Sequence, residues 1–152
     1  MNTQPPSGSA SLPPHSQYSL DLSIVIPLFN EQESIMPLYD GLTAVLRGLN
    51  RSFEIIFIND GSADDSYGTL CRLAEKDSRV KVINLRRNFG QTAAMVAGFD
   101  HSRGSIIIPM DGDLQNDPVD IPLLIAKLEE GYDMAVGARR DHHDGPPPAR
   151  RV

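Results

Sequence analysis

The stretch Ile106-Ile107-Ile108-Pro109-Met110-Asp111-Gly112-Asp113-Leu114-Gln115 runs an apolar segment straight into two carboxylates at alternate positions, with an amide two residues further on. Consecutive branched side chains without polar alternation describe a strand buried on both faces, the kind found in parallel sheets. The end of such a strand is a rigid edge. Carboxylates placed there can hold a divalent cation against a diphosphate, with hard oxygen donors favouring Mg2+ or Mn2+. Gly112 would let the backbone approach a ligand, and Gln115 adds a neutral oxygen. A lone Asp-x-Asp also occurs in ordinary loops, so its meaning depends on what the chain places beside it.

Upstream, the same alternation of apolar strand and amphipathic helix recurs. Residues 22–27 form a branched apolar run, followed by Asn30, by Glu31 and Glu33 in a first turn, and by Ile35, Leu38, Leu42, Val45, Leu46 and Leu49 at helical spacing. Residues 53–59 read as a second strand closing on Asp60-Gly61-Ser62. Asp64 and Asp65 then lead a helix whose apolar face carries Tyr67, Leu70, Leu73 and Ala74. Residues 80–85 read as a third strand, and residues 92–101 as a third helix with Ala93, Val96, Ala97 and Asp100 turned outward. Residues 105–110 are the fourth strand. Downstream, Asp117-Pro118 reads as an N-cap and first helical position, Ile121, Leu124, Ile125 and Leu128 as a helical face, Gly131 as its end, and residues 132–136 as a fifth strand.

Such a pattern predicts an α/β domain with a mostly parallel sheet covered on both faces, in which ligands gather beyond the carboxyl ends of the strands. Each polar cluster falls at such an end: Pro27 to Glu31, Asn59 to Ser62, Arg86 to Gly90, Asp111 to Gln115 and Gly137 to Arg139. No Gly-x-Gly-x-x-Gly follows the first strand, which disfavours a nicotinamide-binding domain.

The ends differ in composition. Residues 1–19 are rich in Pro, Ser and Gly and lack the apolar block of a secretory signal, so they read as a disordered leader. Residues 141–152 contain three consecutive prolines and no apolar periodicity, and read as a disordered tail in which His142 and His143 are solvated. The domain is thus expected over residues 20–140. With 14 basic against 20 acidic residues there is no electrostatic reason to expect a nucleic-acid partner. The single Cys71 cannot form an internal disulfide, which fits a reducing, cytoplasmic setting, and the Asn50-Arg51-Ser52 sequon is then without meaning. Every apolar run is far shorter than the roughly 20 residues of a membrane-spanning helix.

Each candidate residue also has a plainer role. Asp60 and Ser62 fit a turn with an N-cap, although Asp60 can equally accept from a base or ribose. Asn30 and Glu31 fit a helix cap and a dipole-matched acid as well as they fit ligand contact, and only their place on the rim favours the second. Arg86, Arg87 and Arg140 fit solvated surface charge. Arg139, directly after a strand-Gly end, is the arginine placed to clamp phosphate oxygens.

Together these residues resemble the family 2 glycosyltransferases of the GT-A fold, and more narrowly the polyprenyl-phosphate sugar transferases of the dolichyl-phosphate mannose synthase type and their bacterial undecaprenyl-phosphate relatives. The resemblance spans about residues 20–140 and is most specific from Arg87-Asn88-Phe89-Gly90-Gln91-Thr92 through Asp111-Gly112-Asp113-Leu114-Gln115. It implies metal-dependent transfer, with inversion, from a nucleotide-diphosphate sugar to a polyprenyl phosphate. Pro27, Asn30 and Glu31 would then line the nucleoside, Asp60 would contact the base, and Asp111 would lie by the ribose and diphosphate. Asp113 and Gln115 would hold Mg2+ or Mn2+, and Arg139 would meet phosphate near the acceptor. Two other readings stay open: transfer to a glycan hydroxyl, and a non-catalytic nucleotide-sugar-binding fragment. Members of the family continue past the fifth strand with elements that close the acceptor side, and the lipid-phosphate type often adds membrane helices. The expectation is therefore a chain whose C-terminal part is missing, from a protein working at the inner face of a membrane.

Overall fold

The computed structural model describes residues 18–136. These residues divide into two units, the first ending at Pro118 and the second beginning at Val119. Within the first, β1 (Leu20–Leu28), α1 (Gln32–Gly48), β2 (Phe53–Asn59), α2 (Ser66–Lys76), β3 (Val80–Asn84), α3 (Gln91–Asp100) and β4 (Gly104–Pro109) follow in strict alternation. The strands form one parallel sheet in the order β3-β2-β1-β4.

That order fixes the layers. The crossovers from β1 to β2 and from β2 to β3 run one way along the sheet, and the crossover from β3 to β4 returns past β1. Right-handed connections then put α1 and α2 on one face and α3 on the other. Between them β1 and β2 are closed to solvent on both sides: Ile24, Val25, Ile26, Ile55, Ile56, Phe57 and Ile58 are all fully buried. Val25, Ile56 and Ile58 form the core beneath α3 together with Ala94.

Helix α3 lies closer to the sheet than its sequence announces. Its buried residues are Ala94 and Gly98, four apart, while Val96 is half exposed. Ala93, Val96 and Asp100 are exposed as expected, while Ala97 is half-buried. A side chain at Gly98 would run into Val25 and Ile58, so the smallest residues take the contact and the backbone packs directly on the strands. In α2, similarly, Leu70 and Leu73 are buried but Tyr67 is exposed, and Cys71 is half-buried.

The strand-start pole is closed by charge. Glu54, buried in β2, accepts from the Ser23 hydroxyl at 2.7 Å, from the Arg103 N–H at 2.8 Å, and from the Arg103 guanidinium at 3.0 and 3.1 Å. Nearby, Asp77 receives Tyr39 Oη at 2.7 Å and Arg79 at 2.8 and 2.9 Å. The Arg79 guanidinium also lies 4.6 Å from the centre of the Phe53 ring. These buried charges are paired, as burial requires.

In the second unit α4 spans Ile121–Glu129, with Ile121 and Ile125 buried. Asp120 is its N-cap, because Pro118–Asp120 forms a 3-10 turn, so the expected cap at Asp117 shifts by three residues. Gly131, at φ 103°, follows its end as expected. The expected fifth strand at residues 132–136 does not form: these residues join no ladder, and Met134 and Val136 are about four-fifths exposed. An apolar run becomes a strand only where an edge accepts its backbone groups. Among the described residues no helix is long and apolar enough to cross a membrane.

Candidate functional site

The sheet reverses its winding at β1, whose neighbours β2 and β4 are reached by crossovers of opposite sense. Open parallel sheets have their ligand crevice at this switch point, beyond the carboxyl ends of the strands. The Val25 carbonyl accepts the Met110 N–H at 2.9 Å, and the next β1 position facing β4 is Pro27, which has no N–H to continue the ladder. The ladder ends there, and beyond the strand ends lies a cavity of about 390 Å3 lined by Pro27, Phe29, Glu31, Asp60, Gln91 and Asp113, among others.

Gly112 marks the base of this crevice. A Cβ there would lie 3.1 Å from Leu28 Cβ and 3.3 Å from the Pro27 carbonyl. Its lack of a side chain thus suits the close passage of β1. That passage sets Asp111 and Asp113 on the cavity wall. Asp111 Oδ1 accepts from the Gln91 amide at 2.7 Å, and Asp113 Oδ1 accepts from the Gln115 N–H at 3.1 Å. Gln115 serves this backbone contact, and its exposed side chain is not part of the cavity wall.

Side chains stitch the rim loops together. The Asn30 N–H donates to Ser62 Oγ at 2.9 Å, and Asn30 Oδ1 accepts the Ala63 N–H at 2.8 Å. Asp64 Oδ2 accepts the Gln32 N–H at 3.3 Å, and the Asp65 N–H donates to Gln32 Oε1 at 3.1 Å. Asn30, at φ 52°, lies outside the cavity lining, and neither it nor Ser62 caps a helix: α1 starts after Glu31 and α2 after Asp65. Glu31 does line the cavity and accepts the Ser34 hydroxyl at 3.2 Å.

Asp60 carries the zip onward. It is buried, and its two oxygens accept the Phe89 N–H at 2.8 Å and the Gly90 N–H at 3.0 Å. Gly61, at φ 70°, permits this approach, since any side chain would collide with the Arg87 and Asn88 backbone. Arg87 stacks over the Phe89 ring at 4.7 Å and stays on the surface. Four of the five expected rim clusters are therefore brought together. The fifth, with Arg139, lies outside the described residues, as do Arg140, His142 and His143 and most of the expected leader. Sequence reading missed Phe29, Asn88 and Gln91 as cavity residues. Phe29 and Asn88 lie inside strand-end clusters already singled out, and Asn88 and Gln91 in the stretch that carries the family resemblance, which was their signal.

The donor set suits a divalent cation of the Mg2+ or Mn2+ kind. Asp111 and Asp113 each leave one carboxylate oxygen without a hydrogen bond among the described residues, and both are hard ligands on the cavity wall. No cluster of three or more His, Cys, Asp or Glu that could cage a metal occurs among the described residues. A one- or two-carboxylate site completed by substrate phosphate is the habit of such ions.

The family described as "Glycosyl transferase family 2" matches residues 23–152. This chain belongs to that family. Dodecaprenyl-phosphate galacturonate synthase from Rhizobium johnstonii is 43% identical to it over 129 residues, 84% of this chain and 38% of that protein. Undecaprenyl-phosphate 4-deoxy-4-formamido-L-arabinose transferase from Klebsiella pneumoniae is 45% identical over 124 residues, 81% of this chain and 38% of that protein. The chain thus spans well under half the length of these relatives. Among solved structures, the mannosyltransferase PcManGT from Pyrobaculum calidifontis, in complex with GDP-Man and Mn2+, superposes with a TM-score of 0.54 at 19% identity. The match covers 63% of this chain and 28% of that one. The family 2 chain described here accordingly has the GT-A fold, with α1 and α2, the parallel sheet and α3 as its three layers.

Proposed function

We propose that this domain binds a nucleotide-diphosphate sugar with a divalent cation and serves the transfer of that sugar to a polyprenyl phosphate, with inversion. The observation that carries this reading is the pair Asp111 and Asp113 on the wall of the switch-point crevice, held there by Gly112 against the end of β1. The names of both quoted relatives, and the GDP-Man and Mn2+ of the superposed mannosyltransferase, support it.

In this reading Pro27, Glu31 and Asp60 border the nucleoside and Asp111 lies by the ribose and diphosphate. Asp60 acts chiefly by holding the loop at residues 86–90, because both its oxygens already accept backbone N–H groups. Asp113, with Asp111 beside it, would hold Mg2+ or Mn2+. When bound, the ion would offset the charge of the diphosphate leaving group. The chain's own contribution is positioning: hydrogen-bonded loops fix the carboxylates before the donor arrives. A phosphate acceptor is already anionic near neutral pH and needs no strong base to deprotonate it, which suits a crevice furnished with charge-holding groups. Arg139 is proposed to meet phosphate on the acceptor side, and a lipid acceptor suits the further proposal that the work is done at the inner face of a membrane.

The deciding experiment is calorimetry of the 152-residue chain against UDP-sugars and GDP-sugars, with Mn2+ or with EDTA, repeated on Asp113→Ala. Expected is binding that requires the ion and is largely lost in the variant. Affinity indifferent to both the ion and the substitution would reject the assignment.

A further inference from the structure

One contact in the crevice is left unexplained by the fold. Gln91 Nε2 reaches Asp111 Oδ1 at 2.7 Å across 20 residues of chain. It is the short hydrogen bond expected of an amide on a carboxylate, and such charge-assisted bonds are the stronger kind. Asp111 lies on a turn after β4 whose only other side-chain bond before Asn116, among the described residues, is the local one from the Gln115 N–H to Asp113. Without Gln91, the Asp111 side chain has no described hydrogen-bond partner to choose its rotamer.

Gln91 is itself held. It is the first residue of α3 and follows Gly90, whose N–H is gripped by buried Asp60. Asp60 in turn joins the end of β2 to the loop after β3. A continuous path therefore runs from Asp60 through the backbone of residues 89–90 to Gln91 and on to Asp111.

We propose that Gln91 is a positioning residue. Its amide occupies one oxygen of Asp111 and so turns the other toward the cation and diphosphate. This rests on the donor-binding reading above and goes beyond it by giving the Asp60-anchored loop a part in aiming the acidic edge.

The test is a double-mutant cycle on the full chain, titrated with UDP and with GDP, each in Mn2+ and in EDTA. The single variants are Gln91→Ala and Gln91→Met, the latter matching the side chain in length without its donor, together with Asp111→Ala, which removes the acceptor, and the double substitutions. Thermal unfolding of every variant checks that it folds, and Met stands in should Ala fail. Loss of one hydrogen bond to a charged group corresponds to about a tenfold loss of Mn2+-dependent affinity. That loss is expected in the Gln91 variants, with no further loss on top of Asp111→Ala. Additive losses would show that Gln91 touches the ligand itself or acts independently, and would overturn the proposal. An equal loss with and without Mn2+, or no loss, would do the same. Wild-type chain that binds neither nucleotide in Mn2+ would instead overturn the donor-binding reading and this proposal with it.

Discussion

Asp60 gives one carboxylate oxygen to each of two successive backbone N–H groups, at Phe89 and Gly90. An asparagine offers only one acceptor oxygen and would turn an NH2 donor toward the other N–H. Asp60→Asn is therefore expected to cost about 1 kcal/mol, the low end of the penalty for an unsatisfied donor because these N–H groups are only partly buried, and urea unfolding checks it. A midpoint unchanged from wild type would show that the clamp contributes nothing. At Gly112 the limit is space. Valine there would push against Leu28 and the Pro27 carbonyl, costing about 1–3 kcal/mol by overpacking. Because the displaced turn carries Asp111 and Asp113, Gly112→Val should also abolish Mn2+-dependent nucleotide binding in the calorimeter.

At the scale of elements, α3 is held to the sheet by contact of backbone with side chains. Gly98→Val would force it away from Val25 and Ile58, so the thermal midpoint should fall by several degrees, as about 1–3 kcal/mol of overpacking implies. An unchanged midpoint would mean that the helix is free to lift. The Asp77 junction joins α1, β2 and the turn before β3, and it confers a pH dependence. The bonds donated by Arg79, and then that from Tyr39, hold the Asp77 carboxyl far below its ordinary range. A depressed carboxylate contributes stability that is fully present above its unfolded pKa of about 3.9. The contribution shrinks as pH falls below that value toward the folded pKa, because the unfolded chain takes up the proton first. The urea-midpoint gap between wild type and Asp77→Asn should therefore be constant from pH 7 to 5 and narrower at pH 3. A gap that widens in acid would contradict the pairing.

For the molecule as a whole, the rim acts as one unit, with loops after β1, β2, β3 and β4 joined in series by Asn30, Ser62, Asp64, Asp60 and Gln91. A ligand seated in this rim stabilises the folded state by mass action, by about 2.7 kcal/mol at a hundredfold excess over its dissociation constant. A nucleoside diphosphate with Mn2+ should accordingly raise the unfolding temperature of the chain, and EDTA should erase the gain. An equal shift in EDTA would separate nucleotide binding from the cation.

The parallel α/β architecture and the acidic edge after β4 were legible in the chain, because unbroken apolar runs, helical spacing and strand-end polar residues are local patterns. So was the family resemblance, carried by residues 87–92 and 111–115. Local pattern could not say how closely α3 lies on the sheet, since only the strands beneath it decide that Ala94 and Gly98 make the contact. Nor could it say that residues 132–136 would remain outside the sheet, because a strand exists only by its pairing. The work of Asp60, Asn30 and Ser62 was likewise hidden: each spends its hydrogen bonds on a loop some 30 residues away. Residue type and order thus determined which chemistry stands at the rim. Only the tertiary structure decided which of those groups face the crevice and which hold it open, because hydrogen bonds between distant loops are set by the packing of the strands beneath them.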